Sequence, residues 1–226
     1  MTAFKPCPDI IQLNGQTPIA SGRVRDVWPR PGHDDEILKT IVERKRSEYA
    51  ARRGLLGWLS QKLLGPYRTF WIEYKEYARV AHRAIESGRL NPIVEIGGLV
   101  QTDRGLAQVC KRARGVDGGP GRTLREILSS GDMTVDLTER LSAFAQDIIA
   151  LNVNAPDLST ANVMFDAVED RFVLVDGFGD KTIVPVRRIL PNANQRRLEH
   201  WLSRYAQNIL RWDSATQTFT LRTSLK

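Results

Sequence analysis

The chain has 226 residues, of which 42% are hydrophobic and 26% are charged, and its net charge at pH 7 is +7. This length allows one large domain or two small lobes, and the two fractions are typical of a soluble globular protein. A membrane-spanning protein is also excluded, because no run of apolar residues approaches the length of about 18 that a span requires.

The cysteines and the first eleven residues indicate the compartment. Cys7 and Cys110 lie far apart and without metal-ligand spacing, which argues against a disulfide framework or a zinc site. Prolines and charged residues within Met1–Ile11 occupy the place where a signal peptide has its apolar core. We therefore expect a cytoplasmic protein with reduced thiols.

Most of the positive charge lies in one segment, residues 44–68, which we call the basic insert. It contains seven basic residues and one acidic residue, Glu48, together with several leucines and Trp58. Two interpretations are open: an insert that packs its leucines on the parent domain, or a surface that contacts an anionic membrane. Specific nucleic-acid binding is not expected, because the rest of the chain is close to neutral.

The first half of the chain has mainly β patterns. Ile19–Trp28 predicts two strands around a glycine turn, and Glu36–Val42 alternates as a strand does. Lys39 stands among the apolar residues of that second segment. An inward ammonium would need an anionic partner, whereas an outward one would protect an edge strand from aggregation.

A helix is predicted from Arg68 to Glu86. Its apolar face takes the residues at helical spacing, namely Phe70, Trp71, Tyr74, Tyr77, Ala81, Ala84 and Ile85. Glu73 falls on the border of this face and Glu76 points further out. Glu73 is therefore the better partner for a buried lysine, unless both acids are simply solvated. A hairpin over Pro92–Cys110 follows.

The second half has mainly helical patterns. After a linker at residues 111–121, Thr123 is the predicted N-cap of a short helix, Leu124–Ser130, that ends at Gly131. A longer amphipathic helix covers residues 137–151, and a last helix spans about Asn194 to Trp212. These elements predict an α+β fold with two lobes, an N-lobe at residues 1–110 and a C-lobe at 111–226.

Two apolar runs in the second half carry polar residues at their ends. Asp157-Leu158-Ser159-Thr160-Ala161-Asn162 precedes one run, and Asp176 follows the other. If the runs form a hairpin, Asp157, Asn162 and Asp176 meet at one end of it. Carboxylate and amide oxygens suit a hard cation such as Mg²⁺. The alternative is an ordinary hairpin in which Asp and Asn only form turns.

Five motifs thus follow one another along the chain: Ser21-Gly22-Arg23-Val24-Arg25-Asp26-Val27, Lys39 on a strand, Glu73 on a helix, Asp157 with Asn162, and Asp176-Gly177-Phe178-Gly179. In this order they resemble the protein-kinase-like superfamily and, within it, the small YrbL-like (PhoP regulatory network) proteins of bacteria. The resemblance implies a two-lobe kinase-like fold, with one main helix in a β-rich N-lobe and a reduced helical C-lobe.

The resemblance also implies roles for individual residues, with ATP and Mg²⁺ as cofactors. Catalytic roles go to Asp157 as the base and to Lys39 paired with Glu73, and the metal ligands are Asn162 and Asp176. The nucleotide would be bound by Ser21, Gly22 and Arg23 over the phosphates, by Lys39 at the α- and β-phosphates, and by Lys111, Arg112 and Ala113 at the adenine.

The chain departs from the kinase pattern in three places. The glycine turn has one glycine instead of three, Ala155-Pro156 replaces the usual His-Arg before the catalytic aspartate, and few residues separate Asp176 from the last helix. We expect a cytoplasmic phosphotransferase for a hydroxyl on a small molecule or a (lipo)sugar, and peripheral contact with the inner membrane through the basic insert remains one of the two open interpretations of that segment. The alternatives are a nucleotide-binding regulator without catalysis and a basic membrane- or nucleic-acid-binding module.

Overall fold

The structure, a computed structural model, describes residues 10–50, 65–179, 193–205 and 209–222. These residues form a mixed α+β fold, which confirms the predicted class. The chain divides into two compact units, Met1–Trp71 with Glu95–Arg112 and Ile72–Val94 with Ala113–Lys226. Most of the basic insert, residues 51–64, lies outside the described residues.

The first unit is built on a five-stranded antiparallel sheet, in the order β1-β2-β3-β5-β4. Its strands are β1 (Ala20–Ser21), β2 (Arg25–Arg30), β3 (His33–Ile41), β4 (Ile96–Thr102) and β5 (Gly105–Lys111). Helix α1 (Glu43–Ala50) follows β3, and a 3-10 helix covers Gly65–Tyr67. The predicted strands on either side of Gly22, at Glu36–Val42 and in the second hairpin are therefore confirmed.

One face of this sheet packs a small apolar core. Leu38 of β3 lies between Trp28 of β2 and Val109 of β5, and Leu13 and Ala107 complete the cluster. Consecutive β3 residues from Leu38 to Ile41 are all buried, so both faces of the strand are covered. Lys39, on the face opposite Leu38, is only 5% exposed. This burial excludes the solvent-facing edge position for the lysine.

The second unit contains most of the helices and two small sheets. Helix α2 (Arg68–Ser87) enters it at Ile72, and strands β6 (Arg122–Thr123), β7 (Val163–Asp166) and β8 (Arg171–Leu174) form a sheet in that order. The other elements are α3 (Leu124–Ser130), α4 (Val135–Ala150), α5 (Ala193–Tyr205), β9 (Leu210–Asp213) and β10 (Thr218–Leu221). None of the described helices is both long and apolar enough to cross a membrane.

The predicted cap and end of the short helix and the apolar face of the longer helix are confirmed. The Thr123 hydroxyl accepts the Glu126 N–H and the Glu126 carboxylate accepts the Thr123 N–H, which is a complete capping box. Gly131 ends α3 in the left-handed conformation, at φ 76°. Helix α4 buries Leu141, Phe144 and Ile148 and packs against β8, β10 and α5.

Two helix predictions are wrong in detail. The buried face of α2 contains Glu73, Glu76 and Val80, while Trp71, Tyr74 and Ile85 are exposed, Ile85 by 83%. The helix is therefore rotated from its most apolar face, because Glu76 has polar partners inside the second unit. The last helix ends at Tyr205, and Leu210–Asp213 is a strand that pairs with β10. The turn between this strand, β9, and β10 is stabilised by the Asp213 carboxylate, which accepts the Ala215 N–H at 2.9 Å.

The second unit also contains a stretch from the first half of the chain, and the lobe bounds at residues 1–110 and 111–226 stay a prediction. Residues 72–94, with most of α2, belong to the second unit although β4 and β5 follow them in the chain. The backbone explains part of this, since the Val94 N–H donates to the Leu174 carbonyl and Leu174 donates to Pro92.

Candidate functional site

The β7–β8 hairpin forms as the sequence predicts and brings the polar residues to one end. Val163 pairs with Leu174, and one step beyond, the Val175 N–H donates to the Asn162 carbonyl at 2.9 Å. Asn162 and Asp176 therefore leave the ladder side by side. The aromatic pair Phe165 and Phe172, with ring centroids 5.2 Å apart, holds the strands together further along.

The loop that carries Asp157 is tied to this end by two hydrogen bonds. The Asp157 N–H donates to the Gly177 carbonyl at 3.1 Å, and Asn162 Nδ2 donates to the Asp157 carbonyl at 2.9 Å. The Asp157 residue itself is exposed. Asp157, Asn162 and Asp176 are thus brought together by one backbone bond and one bond from the Asn162 amide, neither of which uses a carboxylate.

Gly177 and Gly179 allow these loops to approach so closely. Gly177 has a φ of 79°, and a Cβ there would overlap the Asp157 carbonyl oxygen and stand 2.7 Å from Asn162 Nδ2. Gly179 has a φ of 89°, and its Cβ would lie 2.6 Å from Ile72 Cγ2. Only glycine combines these dihedral angles with these distances.

Helix α5 supports the loop from another side. The Tyr205 hydroxyl donates to the Leu158 carbonyl at 2.7 Å, and Arg197 donates to the Pro156 carbonyl at 2.6 Å. Burial raises the pKa of Tyr205 well above its ordinary value, and the nearby Asp157 charge raises it further. The hydroxyl is therefore a neutral donor under ordinary conditions.

Sequence reasoning missed a further support, the pair Glu76 and Arg79 on α2. The Glu76 carboxylate is buried, pairs with Arg79 and accepts the Asn154 N–H at 2.8 Å. Arg79 also donates to the Asn152 carbonyl at 2.9 Å. The three-residue spacing is a helical-pair signal that the sequence contains. Its connection to the Asp157 loop is visible only in the folded chain.

The oxygen atoms at this end fit a magnesium ion. Since the Asp157 carbonyl can only accept, the Asn162 atom facing it must be the nitrogen, which leaves Oδ1 as an acceptor. The Asp176 carboxylate accepts the N–H of the next residue, Gly177, at 2.6 Å, and this bond orients the carboxylate. Mg²⁺ commonly takes one or two protein carboxylates and completes its shell with phosphate and water. The described residues contain no cluster of three His, Cys, Asp or Glu side chains suited to a metal.

The other predicted catalytic residues are both buried. Lys39 lies in the first unit between Val27 and Gln108 of the neighbouring strands, and Glu73, in the second unit, is 1% exposed. The pairing of the lysine with the acid stays a prediction.

The predicted nucleotide-binding residues occupy a turn and a linker. Ser21, Gly22 and Arg23 are exposed, and the Gly22 N–H donates to the Arg25 carbonyl at 2.8 Å within the turn. In the linker, the Lys111 N–H donates to Glu95 and the Arg112 N–H donates to Asp35, while the Ala113 carbonyl accepts from Gly121. An adenine contact through the amides of Lys111 or Arg112 would have to replace these bonds.

A model for one family, described as PhoP regulatory network protein YrbL, matches residues 11–210. The chain belongs to this family. In this YrbL-family chain the matched residues include every candidate site residue from Ser21 to Asp176 and end within β9. A search of curated proteins finds no match.

Proposed function

We propose that this YrbL-family chain is an ATP- and Mg²⁺-dependent phosphotransferase with a two-lobe kinase-like fold. The observation that carries the proposal is the convergence of Asp157, Asn162 and Asp176 at one end of the β7–β8 hairpin. An exposed carboxylate beside an amide and a second carboxylate is the arrangement that phosphoryl transfer requires for a base and a metal.

Asn162 and Asp176 would hold the cation, and Mg²⁺ bound there would neutralise charge on the β- and γ-phosphates. Lys39, oriented by Glu73, would bind the α- and β-phosphates, with Ser21–Arg23 over the phosphates and Lys111–Ala113 at the adenine. Asp157 would accept the proton of the acceptor hydroxyl. The acceptor oxygen then bonds to the γ-phosphorus as the bond from that phosphorus to the ADP oxygen breaks.

The acceptor in this proposal is a small molecule or a (lipo)sugar rather than a protein. Helix α5 begins at Ala193, so only a short segment follows Asp176 before it. A platform for a peptide substrate would need more chain. Binding to an anionic membrane through the basic insert stays a prediction. In its described part, Arg44 and Lys45 pair with Glu48, and Arg46 pairs with Glu43.

A second candidate is a regulator that binds nucleotide without transferring phosphate. Ala155, which stands in place of the usual histidine, is fully buried, and Pro156 offers only its carbonyl, to Arg197. Neither side chain can orient the Asp157 carboxylate. In that case ATP would bind without transfer to any acceptor, and steady ATP turnover that depends on Asp157 would exclude this candidate.

The test is nucleotide-dependent thermal stabilisation with Mg²⁺, followed by ATP turnover with a panel of hydroxyl acceptors. Nucleotide at a 100-fold excess over its Kd should stabilise the wild type by about 2.7 kcal/mol. Asp176→Asn and Lys39→Ala should each remove most of this stabilisation, because one loses a metal ligand and the other loses a phosphate contact. Asp34→Asn and Lys75→Ala, both exposed, are the matched controls. Unchanged stabilisation in both site variants would contradict the site.

A further inference from the structure

A groove of about 470 Å³ lies in the second unit, beside the Asp157 loop and apart from the proposed metal ligands. We call it the arginine groove. Its polar lining includes Arg125 of α3, Arg204 of α5 and the hydroxyl residues Ser159 and Thr160. Its volume falls within the range of small-molecule pockets.

The charge of this groove favours an anion. Arg125 and Arg204 are both exposed, and neither pairs with a carboxylate within the described parts of the chain. The neighbouring acid, Glu126, is occupied by the cap at Thr123. Two guanidinium groups and hydroxyl groups that line the same groove match a phosphate group, which carries up to two charges and three acceptor oxygens.

The groove also has an apolar surface. Trp201 lines it, with the Arg204 guanidinium 5.4 Å from the centre of the indole ring, and Leu128 and Ile209 add aliphatic surface. A ligand with a phosphate group and a compact ring or carbon frame would use both kinds of lining. A neutral sugar would use only the second, so it should bind more weakly.

The groove is joined to the candidate catalytic loop by the backbone. Ser159 and Thr160 follow Asp157 by two and three residues, and the Arg125 N–H donates to the Thr160 carbonyl at 3.0 Å. Tyr205 lines the groove and binds the Leu158 carbonyl, and the Asp157 charge contributes to the raised pKa of this tyrosine. The groove is therefore lined by the loop that carries Asp157 and by the tyrosine that supports this loop.

We propose that the arginine groove binds the phosphate group of a phosphorylated sugar and that this sugar is the acceptor whose hydroxyl faces Asp157. The role as acceptor rests on the proposed phosphotransferase function, whereas binding of the phosphorylated sugar does not. Arg125 and Arg204 hold the phosphate already on the sugar, and Trp201 covers its ring.

The experiment is isothermal titration calorimetry of the full chain with glucose 6-phosphate, glucose 1-phosphate, glucuronate and glucose, without nucleotide. The two hexose phosphates should bind, and glucose should not. Arg125→Ala and Arg204→Ala should each weaken binding by roughly tenfold, as expected for loss of one charged hydrogen-bonding group. Arg196→Ala, an exposed change on the same helix as Arg204 and outside the groove, should leave binding unchanged. Thermal unfolding checks that each variant is folded.

The same titrations separate the groove from the nucleotide site. Asp176→Asn and Lys39→Ala should retain hexose phosphate binding, even if ATP does not bind to the wild type. Hexose phosphate binding without any ATP binding would support the groove proposal and contradict the proposed phosphotransferase function. The groove proposal is overturned if neither hexose phosphate binds, if glucuronate or glucose binds as tightly, or if the two arginine variants bind as the wild type does.

Discussion

Single backbone polar groups determine how the Asp157 loop is held. The Asp157 carbonyl accepts from the Asn162 side chain, the Asp157 N–H donates to the Gly177 carbonyl, and the Leu158 carbonyl accepts from Tyr205. Each bond satisfies a group that would be costly to leave unpaired. None of these three bonds uses a carboxylate oxygen, so the loop is held by its carbonyl and N–H groups.

At this scale, Gly177→Ala should disrupt the site. The new Cβ would overlap the Asp157 carbonyl oxygen, so the loop must shift, in addition to the cost of a left-handed alanine. We expect the free energy of unfolding to fall by about 2–4 kcal/mol, and stabilisation by ATP and Mg²⁺ to be reduced. Urea unfolding and thermal shift measure these two effects.

Gly118→Ala is the matched control for that change. Gly118 has a similar φ of 77°, but a Cβ there meets nothing within 4 Å. Its free energy of unfolding should fall only by the about 1–2 kcal/mol that alanine costs in the left-handed conformation, and stabilisation by nucleotide should be retained. Equal losses in the two variants would mean that the close approach of Gly177 to Asp157 is not important.

At the scale of elements, helix α2 presents two acids three residues apart to the interior. Glu73 and Glu76 are both buried, and the second connects the helix to the start of the Asp157 loop through Asn154. Arg79, one turn later, reaches the Asn152 carbonyl and keeps the Glu76 charge paired. This helix therefore positions the loop, and Glu76 could not be replaced by an apolar residue without leaving the Asn154 N–H and the Arg79 guanidinium without an acceptor.

Glu76→Ala should therefore be strongly destabilising. It leaves the Asn154 N–H and part of the Arg79 guanidinium without their acceptor, which typically costs about 3 kcal/mol for a broken buried pair. Glu76→Gln should lose less, because its amide oxygen still accepts the Asn154 N–H. Chemical denaturation of both variants gives the comparison.

The control on the same helix is Glu86→Ala. Among the described residues Glu86 pairs only with His82, and its side chain is 64% exposed, so its removal should change stability by less than about 0.5 kcal/mol. If Glu76→Ala were as mild as Glu86→Ala, the loop would not depend on α2.

At the scale of the whole molecule, surface carboxylates are held in their charged forms in several places. The Arg140 side chain binds both oxygens of Asp170 and lowers the pKa of that aspartate, and backbone N–H groups after Asp213 lower the pKa of Asp213. The Thr123 backbone and hydroxyl lower the pKa of Glu126. These groups lie at a hairpin turn, at a second turn and at a helix cap.

The stability of the protein should consequently fall in acid. A lowered pKa means that the unfolded chain binds more protons than the folded one as these groups titrate. Their contribution is present above the unfolded pKa values, near 4, and is lost as the pH falls through the lower folded values. Melting temperatures between pH 7 and pH 3 should show the decline, and Asp170→Asn should make it shallower.

Asn is a suitable replacement there because Asp170 has a φ of 51°, which asparagine tolerates. High salt should also weaken the contribution of this exposed pair. A pH profile that is identical for Asp170→Asn and the wild type would mean that the Arg140 pair contributes nothing.

Local patterns in the sequence were sufficient for several elements. The β7–β8 hairpin, the capping box of α3 and the glycine that ends it depend on residues within a few positions of one another. The strand that carries Lys39 was predicted for the same reason, although its pattern did not say whether the lysine was buried. The sequence did not predict the close approach at Gly177, because the carbonyl oxygen that a Cβ there would overlap belongs to a residue distant in the chain, Asp157.

The sequence by itself therefore determined the α+β class, the hairpin end that gathers Asp157, Asn162 and Asp176, and the membership of the family whose model matches residues 11–210. Only the tertiary structure decided the rotation of α2, the contact of Glu76 with Asn154 and the strand at Leu210–Asp213. It also decided that Arg125 and Arg204 line the same groove. The physical reason is distance along the chain. A turn or a cap is satisfied by its neighbours, whereas a buried charge or a paired strand depends on partners that only folding brings near.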